Sequence, residues 1–425
     1  VLVASFDKTQ SHDPRAIYIS GNYAYMVTID NGGYADFFIF DITFPASPTL
    51  LGSLNLNSHN NDVVVQGNYA YVATSNNSQE LKVIDVSVKT SPVQIWSFNA
   101  AGTVNGLSVA TNGTVLFLGR TNSTSPELYA INIATPTSPV VLDTLDFGSY
   151  LNALVVGNNV LFAATGATTK ELVVFNVGSP TNISEIGSFN APGTEDGISI
   201  DVSGTTLVLG RATSSSAELM VFDVAVPSSP SLHGTGEVGD YVYDVSLDSS
   251  QTIYLATGKI NEEFMRWDIS TPSLPTLDAS LNLNADAMDV VFSGNHAYVA
   301  SSHNSQELQI IGEGIGPVEY VKEGVFTSQT YDAGSEVGWD SIEWLLSGMG
   351  SVVFHIRTAD SEANLTTAEW VGSDGTGNSN YSTSGTSIMT DIGASGTRWI
   401  QWRAYINGSG STTPSFEDIT IRYTP

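Results

Sequence analysis

One stretch, Gly67-Asn68-Tyr69-Ala70-Tyr71-Val72-Ala73-Thr74, followed after a polar loop by Leu81-Lys82-Val83-Ile84-Asp85-Val86-Ser87, recurs along most of the chain. Counterparts of Tyr71 stand at Tyr25, Phe117, Phe162, Val208, Tyr254 and Tyr298, at intervals of 44 to 46 residues. The apolar run that follows keeps the same step. Asp41, Asp85, Asn132, Asn176, Asp223 and Asp268 close six such runs, and Leu308-Gln309-Ile310-Ile311 supplies a seventh. A unit of this size holds about four short strands and cannot cover both their faces by itself, so neighbouring units must cover one another. Short strands at that period, with no helical stretch between them, predict the blades of a β-propeller.

Each repeat reads as four strands. An alternating run such as Asp62-Val63-Val64-Val65 leads through a Gly/Asn turn, Gly21-Asn22 or Gly67-Asn68, into the Tyr-Ala-Tyr strand. The third strand is almost continuously apolar, as a strand covered on both faces must be. Prolines then end it, at Pro45 and Pro48, Pro92, Pro136 and Pro139, Pro180, Pro227 and Pro230, and Pro272 and Pro275. Proline cannot donate to a ladder and presets the backbone for a turn. The blades fall at 16–56, 62–100, 106–147, 153–191, 197–238, 244–283, and 289–311 plus 1–6. The last repeat lacks its fourth strand, whereas Val1-Leu2-Val3-Ala4-Ser5-Phe6 has the pattern of the fourth strands at 50–54 and 95–98. Residues 1–6 are therefore expected to close the ring and leave no open sheet edge. The rival is that residues 318–321 fill that place and free 1–6 to pair with another molecule.

The period stops near residue 316, and five of the seven tryptophans fall beyond it. Strands are expected at 324–331, 339–346, 351–358, 369–371, 387–390, 398–406 and 416–423. Val352, Phe354 and Ile356 alternate with His355 and Arg357; Ile400, Trp402 and Ala404 alternate with Trp399, Gln401 and Arg403. The fold class expected is all-β: a seven-bladed β-propeller over 1–316 followed by a jelly-roll-like β-sandwich over 317–425.

Charge and composition narrow the partners. Forty-three acidic against fourteen basic residues give a net charge of −29, which repels a phosphate backbone and argues against nucleic acid. Only 13% of residues are charged, so the surface must be built largely of Ser, Thr, Asn and Gly, as in exported proteins. With no cysteine there is no disulfide, thiolate nucleophile or Cys-ligated zinc. No apolar stretch approaches the roughly 18 residues of a membrane span. The chain begins at Val1 in what reads as the middle of a strand, so a signal peptide or membrane anchor is expected upstream.

The run at 81–87, with Leu172-Val173-Val174-Phe175-Asn176-Val177 and Leu219-Met220-Val221-Phe222-Asp223-Val224, resembles the LVIVD repeat of bacterial and archaeal surface-protein propellers, over about residues 1–312. The resemblance implies fold and surface location and brings no catalytic motif. Asn132, Asn176 and Gly312 stand where sister repeats have Asp, which makes that carboxylate a turn-former rather than a reagent. Phe326-Thr327-Ser328, Tyr331-Asp332-Ala333-Gly334 and the run 398–404 resemble jelly-roll accessory modules of secreted microbial proteins, many of which bind carbohydrate.

Repetition acts as an internal control, because a residue present in every repeat is architectural. Asp36, Glu80, Glu127, Glu171, Glu218, Glu263 and Glu307 recur at the start of the third strand, and each is expected to accept backbone amides at its own blade junction. The links between blades carry Asp13, His59, Asp62, Asn105, Asn152, Asp196, Tyr243, Asp244 and Asp289, a polar ring at the mouth of a channel. Arg120 and Arg211 each follow Leu-Gly in a chain poor in positive charge. They are candidate ligand residues for carboxylates or sulfates, against the plainer reading of ion pairs with a neighbouring loop. His59 and His303 lie in matching Ser-His-Asn loops and with His12 would make a transition-metal site if they converge. Asp374, Thr376, Asn378 and Asn380 place oxygens at alternate positions, as a Ca²⁺ loop does, without the glycine and bidentate Glu of an EF-hand. Trp339 and Trp370, beside loops, are the candidate sugar-stacking surfaces.

No hydrolase elbow, zinc-protease motif or phosphate loop is present. The expectation is a non-enzymatic extracellular or cell-surface protein for adhesion or recognition, with a glycan or surface protein as partner. It requires no cofactor, and Ca²⁺ is the candidate ion. One alternative is a self-associating structural subunit of a surface layer or appendage, in keeping with seven Asn-x-Ser/Thr sequons. Another is a glycan-active propeller enzyme, using carboxylates from separate blades.

Overall fold

The computed structural model describes residues 1–7, 13–30, 32–157, 159–213, 215–248, 251–312, 323–347, 350–388, 395–408 and 415–425. His12 and residues 318–321 lie outside them. The chain divides into two compact units, Val1–Glu313 and Gly314–Pro425.

Among the described residues, the first unit holds seven four-stranded antiparallel sheets. In six of them the four strands are consecutive, as in Asn60–Gln66, Tyr69–Thr74, Leu81–Asp85 and Val93–Phe98. The seventh joins Ala287–Ser293, His296–Ser301 and Leu308–Gly312 to the first strand of the chain, Leu2–Phe6. Phe6 stands opposite Leu308 and Ala4 opposite Ile310. The Val1 ammonium donates to Gly312 O at 3.2 Å, and the Gly312 amide returns a bond to Val1 O at 3.0 Å. The Phe6 ring meets Phe40 of the first sheet edge-on at 5.1 Å. The innermost strands, Pro14–Ser20, Asn60–Gln66, Gly106–Thr111, Leu151–Gly157, Gly197–Ser203, Val242–Leu247 and Ala287–Ser293, touch in that order, and the last returns to the first.

Packing between sheets explains the apolar third strand. Tyr71, Ala73, Leu81 and Val83 of the second sheet bury against Leu116, Leu118, Tyr129 and Ile131 of the third. Seventh and first sheets meet through Tyr298, Ala300, Leu308 and Ile310 against Ala24, Met26, Phe38 and Phe40. A middle strand is covered on both faces, so its residues are buried without alternation. Each fully buried Leu or Phe contributes about 1.5–3 kcal/mol. The residue closing each third strand forms the turn that follows. Asp41, Asp85, Asn132, Asn176, Asp223 and Asp268 each accept, through Oδ1, the amide two residues on at 2.7–3.0 Å. Asp and Asn serve alike because only the oxygen is used.

The second unit has strands Glu323–Thr327, Tyr331–Ser347, Gly350–Ala359, Thr386–Ser387, Ser395–Gly408 and Ser415–Thr424, all joined in one hydrogen-bonded network. Tyr331–Ser347 is longer than the sequence suggests and takes in both Tyr331 and the segment 339–346. Residues 369–371 make only an isolated bridge, Val371 with Ile356. A four-residue helix, Glu362–Leu365, capped by Ser361, was not anticipated. Trp339, Ile342, Phe354, Ile356, Tyr381, Ile400 and Ala404 form the core. No helix among the described residues is long and apolar enough to cross a membrane.

Candidate functional site

The recurring carboxylates are buried and bound to backbone. Asp36, Glu80, Glu127, Glu171, Glu218 and Glu263 each accept the amide 20 residues on: Leu56, Ala100, Phe147, Ala191, Val238 and Leu283. These donors sit in the link after the outermost strand, so each carboxylate fastens the passage from its own sheet to the next. In the second sheet Lys82 works on the same link, donating to Leu56 O and, at 3.0 Å, to Ser58 Oγ. Burial lowers the proton affinity of its amine, and nearby Asp36 offsets part of that.

Arg120 and Arg211 are fully buried, which corrects their assignment as ligand residues. Arg120 donates to Pro126 O and Ala101 O, both at 2.9 Å, and meets the buried Glu80 at 3.4 Å. Arg211 donates to Ala217 O and Pro192 O and pairs with Glu195 at 3.3 Å. Both stand at the end of the second strand of their sheets. Thr74, Thr165 and Thr257 occupy the equivalent position, and their hydroxyls bond the carbonyls of Gln79, Lys170 and Glu262. Their loops run over 75–80, 166–171 and 258–263, whereas those after Arg120 and Arg211 run over 121–127 and 212–218, one residue longer. In these five repeats the longer loop goes with the longer side chain, whereas the Thr28 hydroxyl, before the still longer loop 29–36, bonds the adjacent Ile29 O. The preceding Gly119 and Gly210 leave room for Ser108 Oγ and Ser199 Oγ, which a Cβ would approach to 2.4 and 2.3 Å.

The innermost strands surround a cavity of about 800 Å³ whose wall includes Arg15, Asn61, Asp62, Tyr243, Asp244 and Asp289. Here too the polar groups stitch sheet to sheet. Asp62 accepts Val109 N at 2.7 Å, Asp244 accepts Val290 N at 3.1 Å, and Asp289 accepts Ile17 N at 2.7 Å. The amides of Asn61 and Asn152 donate to Gly106 O and Gly197 O at 2.6 and 2.7 Å. Burial pushes the Asp62 carboxyl up to about 7 and that of Asp201 up to about 6. Asp244 is pushed well up by burial and then by the charge of Asp289, to which it is hydrogen-bonded. These side chains retain some contact with water in the cavity, which moderates the effect.

His59 is exposed, and the His303 ring accepts Ser305 N at 3.2 Å within its own turn. Among the described residues no group of three His, Asp or Glu is placed to hold a metal ion. The Asp374 loop is likewise closed on itself: Asp374 Oδ1 accepts Thr376 N, Thr376 Oγ1 and Ser379 Oγ at 2.9, 2.8 and 2.5 Å. Asn378 N bonds Thr376 Oγ1, and Asn380 Oδ1 meets His355 Nε2 at 2.9 Å. The four residues assigned to Ca²⁺ shape a turn, with hydroxyl and amide hydrogens aimed at the carboxylate where a cation would sit.

Trp339 is fully buried, with Nε1 bonded to Thr397 Oγ1 at 2.9 Å, so it offers no surface to a ligand. Trp370 differs. It is half-buried, and the guanidinium carbons of Arg357 and Arg403 lie 4.4 and 4.2 Å from its ring centre. Arg357 pairs in register with Gln401, and Arg403 with His355 and Thr327. These residues share the sheet face opposite Phe354, Ile356 and Ala404. Arg357 is anchored by Gln401 Oε1 at 2.9 and 2.5 Å and by Thr366 O at 2.9 Å. Among the described residues Arg403 bonds through Nε alone, toward Thr327 Oγ1 at 3.2 Å. Arg398 and Arg422 pair with Asp332 and Glu343 at 2.6 Å, but no described carboxylate meets Arg357 or Arg403. Burial, and then the charge of Arg403, lowers the proton affinity of Arg357. The alternation of 352–357 and 399–404 already placed both arginines on one parity, although the cluster itself was not inferred from it.

Residues 13–55, 59–100 and 284–311 match the LVIVD repeat family. No curated protein matches the chain. Among solved structures, one similar chain is from the mitotic checkpoint complex: 12% identity, TM-score 0.56, covering 73% of this chain and 93% of that one. Another is the computationally designed Ika8 protein, at 12% identity and TM-score 0.51, covering 73% and 99%. A third is Saccharomyces cerevisiae Sqt1, at 11% identity and TM-score 0.50, covering 78% and 93%. These likenesses concern fold alone: an all-β chain with LVIVD repeats, built on repeated four-stranded sheets in a propeller-like arrangement.

Proposed function

We propose that this chain is a non-enzymatic recognition protein of the cell exterior, a seven-bladed propeller over 1–316 followed by a β-sandwich over 317–425, which binds a glycan or surface-protein ligand through the sandwich. The observation that carries this reading is the grouping of Trp370 with Arg357 and Arg403: an aromatic ring and two cations gathered on the sheet face opposite Phe354, Ile356 and Ala404. Such a group combines contact area with directional donors, the mixture enriched where proteins meet ligands. The recurring polar groups of the first unit support the reading from the other side, since those described are engaged in holding backbone. A glycan array probed with the intact chain and with Trp370→Ala tests it. Binding by the parent and loss by a variant that still unfolds at the parent temperature is expected. A parent that binds no glycan, or a variant that binds as well, would sink it.

A second reading, a glycan-active enzyme, is favoured by the Asp244–Asp289 pair, since perturbed carboxyls in a cavity mark candidate sites. Geometry weakens it. Carboxyls in direct hydrogen bond lie closer than the roughly 5–9 Å that admits a glycosidic bond between acid and nucleophile or water. Turnover of any glycan, abolished by Asp244→Asn, would establish it.

A further inference from the structure

Resting on that reading, we propose that the Trp370 site selects acidic saccharides, with Arg403 gripping a carboxylate or sulfate group of the sugar. The chain has 43 acidic residues and 14 basic ones, so an arginine here should readily find a carboxylate. Arg398 and Arg422 do so on the same unit, and Arg120 and Arg211 do so in the other. Arg357 and Arg403 instead both lie over one indole, with no described carboxylate beside either. Two like charges held this close repel, and a bound anion relieves the repulsion.

Contact with the ring leaves hydrogen-bond donors available. A guanidinium over an aromatic ring is held there by its charge, and its N–H groups are not consumed by that contact. For Arg357 those donors are taken by Gln401 and the Thr366 carbonyl, so this side chain fixes the wall of the site. For Arg403 only Nε is engaged, and its two terminal nitrogens have no partner among the described residues. Two parallel N–H donors on one guanidinium match the two oxygens of a carboxylate or sulfate. His355 and Gln401 extend the site along the same face as further polar groups at its floor, both buried. The part of the half-buried indole left exposed beside the two guanidinium groups supplies apolar contact for the C–H groups of a sugar ring, which favours an acidic saccharide over an acidic peptide.

The test is calorimetric titration of the full chain with oligogalacturonate, a chondroitin sulfate oligosaccharide, neutral cello-oligosaccharide and a polyglutamate peptide. Binding of either acidic saccharide at least tenfold tighter than the neutral one, weakened at least tenfold by Arg403→Gln, supports the proposal. Arg403→Lys, which keeps charge without the fork, should recover only part of the affinity, an outcome that a purely structural arginine would not give. Equal binding of neutral and acidic sugars, unmoved by Arg403→Gln, overturns the charge selection while leaving a glycan-binding Trp370 intact. Tighter binding of polyglutamate than of any saccharide overturns the ligand class. If no saccharide binds, the recognition reading beneath the proposal falls with it. Arg403→Lys serves as the deciding variant should Arg403→Gln shift the unfolding transition.

Discussion

Glu127 offers the sharpest test of how the repeats are fastened. Its Oε1 accepts Ser123 N at 2.9 Å, and its Oε2 accepts Phe147 N and Gly148 N at 2.8 and 2.9 Å. The side chain is fully buried. In Glu127→Ala all three amides lose their acceptor. Gly148 is exposed, so its amide turns to water at little cost, but those of Ser123 and Phe147 are partly buried. Each unpaired buried amide costs about 1–3 kcal/mol, giving about 2–6 kcal/mol in total, and water entering the vacated space brings the expectation to about 3 kcal/mol. A control comes from Asp146→Ala in the same link, an exposed carboxylate whose loss should stay within about 0.5 kcal/mol. Equilibrium urea unfolding followed by fluorescence and circular dichroism measures both, with coincident transitions justifying the two-state treatment. A loss below 1 kcal/mol for Glu127→Ala would mean that the recurring carboxylate merely occupies a polar niche, and the fastening argument would fail for its sister residues as well.

The other predictions concern seams and ring closure. Asp62 has its carboxyl pushed from an ordinary 3.8 up to about 7, so the folded state binds a proton that the unfolded chain has released between those values. The stability this confers is complete below about pH 4 and is lost as pH rises through 7; the shift corresponds to about 4 kcal/mol, and to about 2 kcal/mol after screening by cavity water. Thermal melts should therefore fall between pH 5 and 8, and Asp62→Asn should flatten that fall; a profile identical to the parent's refutes the assignment. Arg120→Thr should destabilise by about 3 kcal/mol by leaving Glu80 buried and unpaired, and deleting one residue of the 121–127 loop in the same chain should restore part of the loss. No recovery in urea midpoint would break the link between arginine and loop length. Removing residues 1–6 should expose the edge of Leu308–Gly312, lowering the unfolding temperature and raising the mass seen by light scattering as chains pair at that edge. An unchanged melt would show the strand to be dispensable.

The first unit was legible because its physics repeats. A middle strand covered on both faces must be apolar at every position, a turn must follow it, and six sister repeats expose any exception; the buried acids and the Asx turns could be read as architecture on that ground alone. Arg120 and Arg211 defeated the same logic because scarcity of charge drew attention to their chemistry. The loop beside each is one residue longer than those after Thr74, Thr165 and Thr257, but Thr28 closes its strand before a loop that is longer still, 29–36, so loop length alone would not have singled them out. The second unit has no sister copies. Val337 and Trp339 face the core on one parity and Ile342 on the other, because the register of their strand shifts between Trp339 and Ser341. Alternation read from sequence cannot locate such a bulge, so Trp339 and Trp370 looked equivalent although one is core and the other surface. The Trp370 cluster depended on a register as well. Arg357 and Arg403 are 46 positions apart in sequence, and only the pairing of Gly350–Ala359 with Ser395–Gly408 sets them beside one ring. Where a fold repeats, deviation from the repeat marks either function or local geometry, and burial separates the two. Where it does not repeat, strand register decides which residues meet.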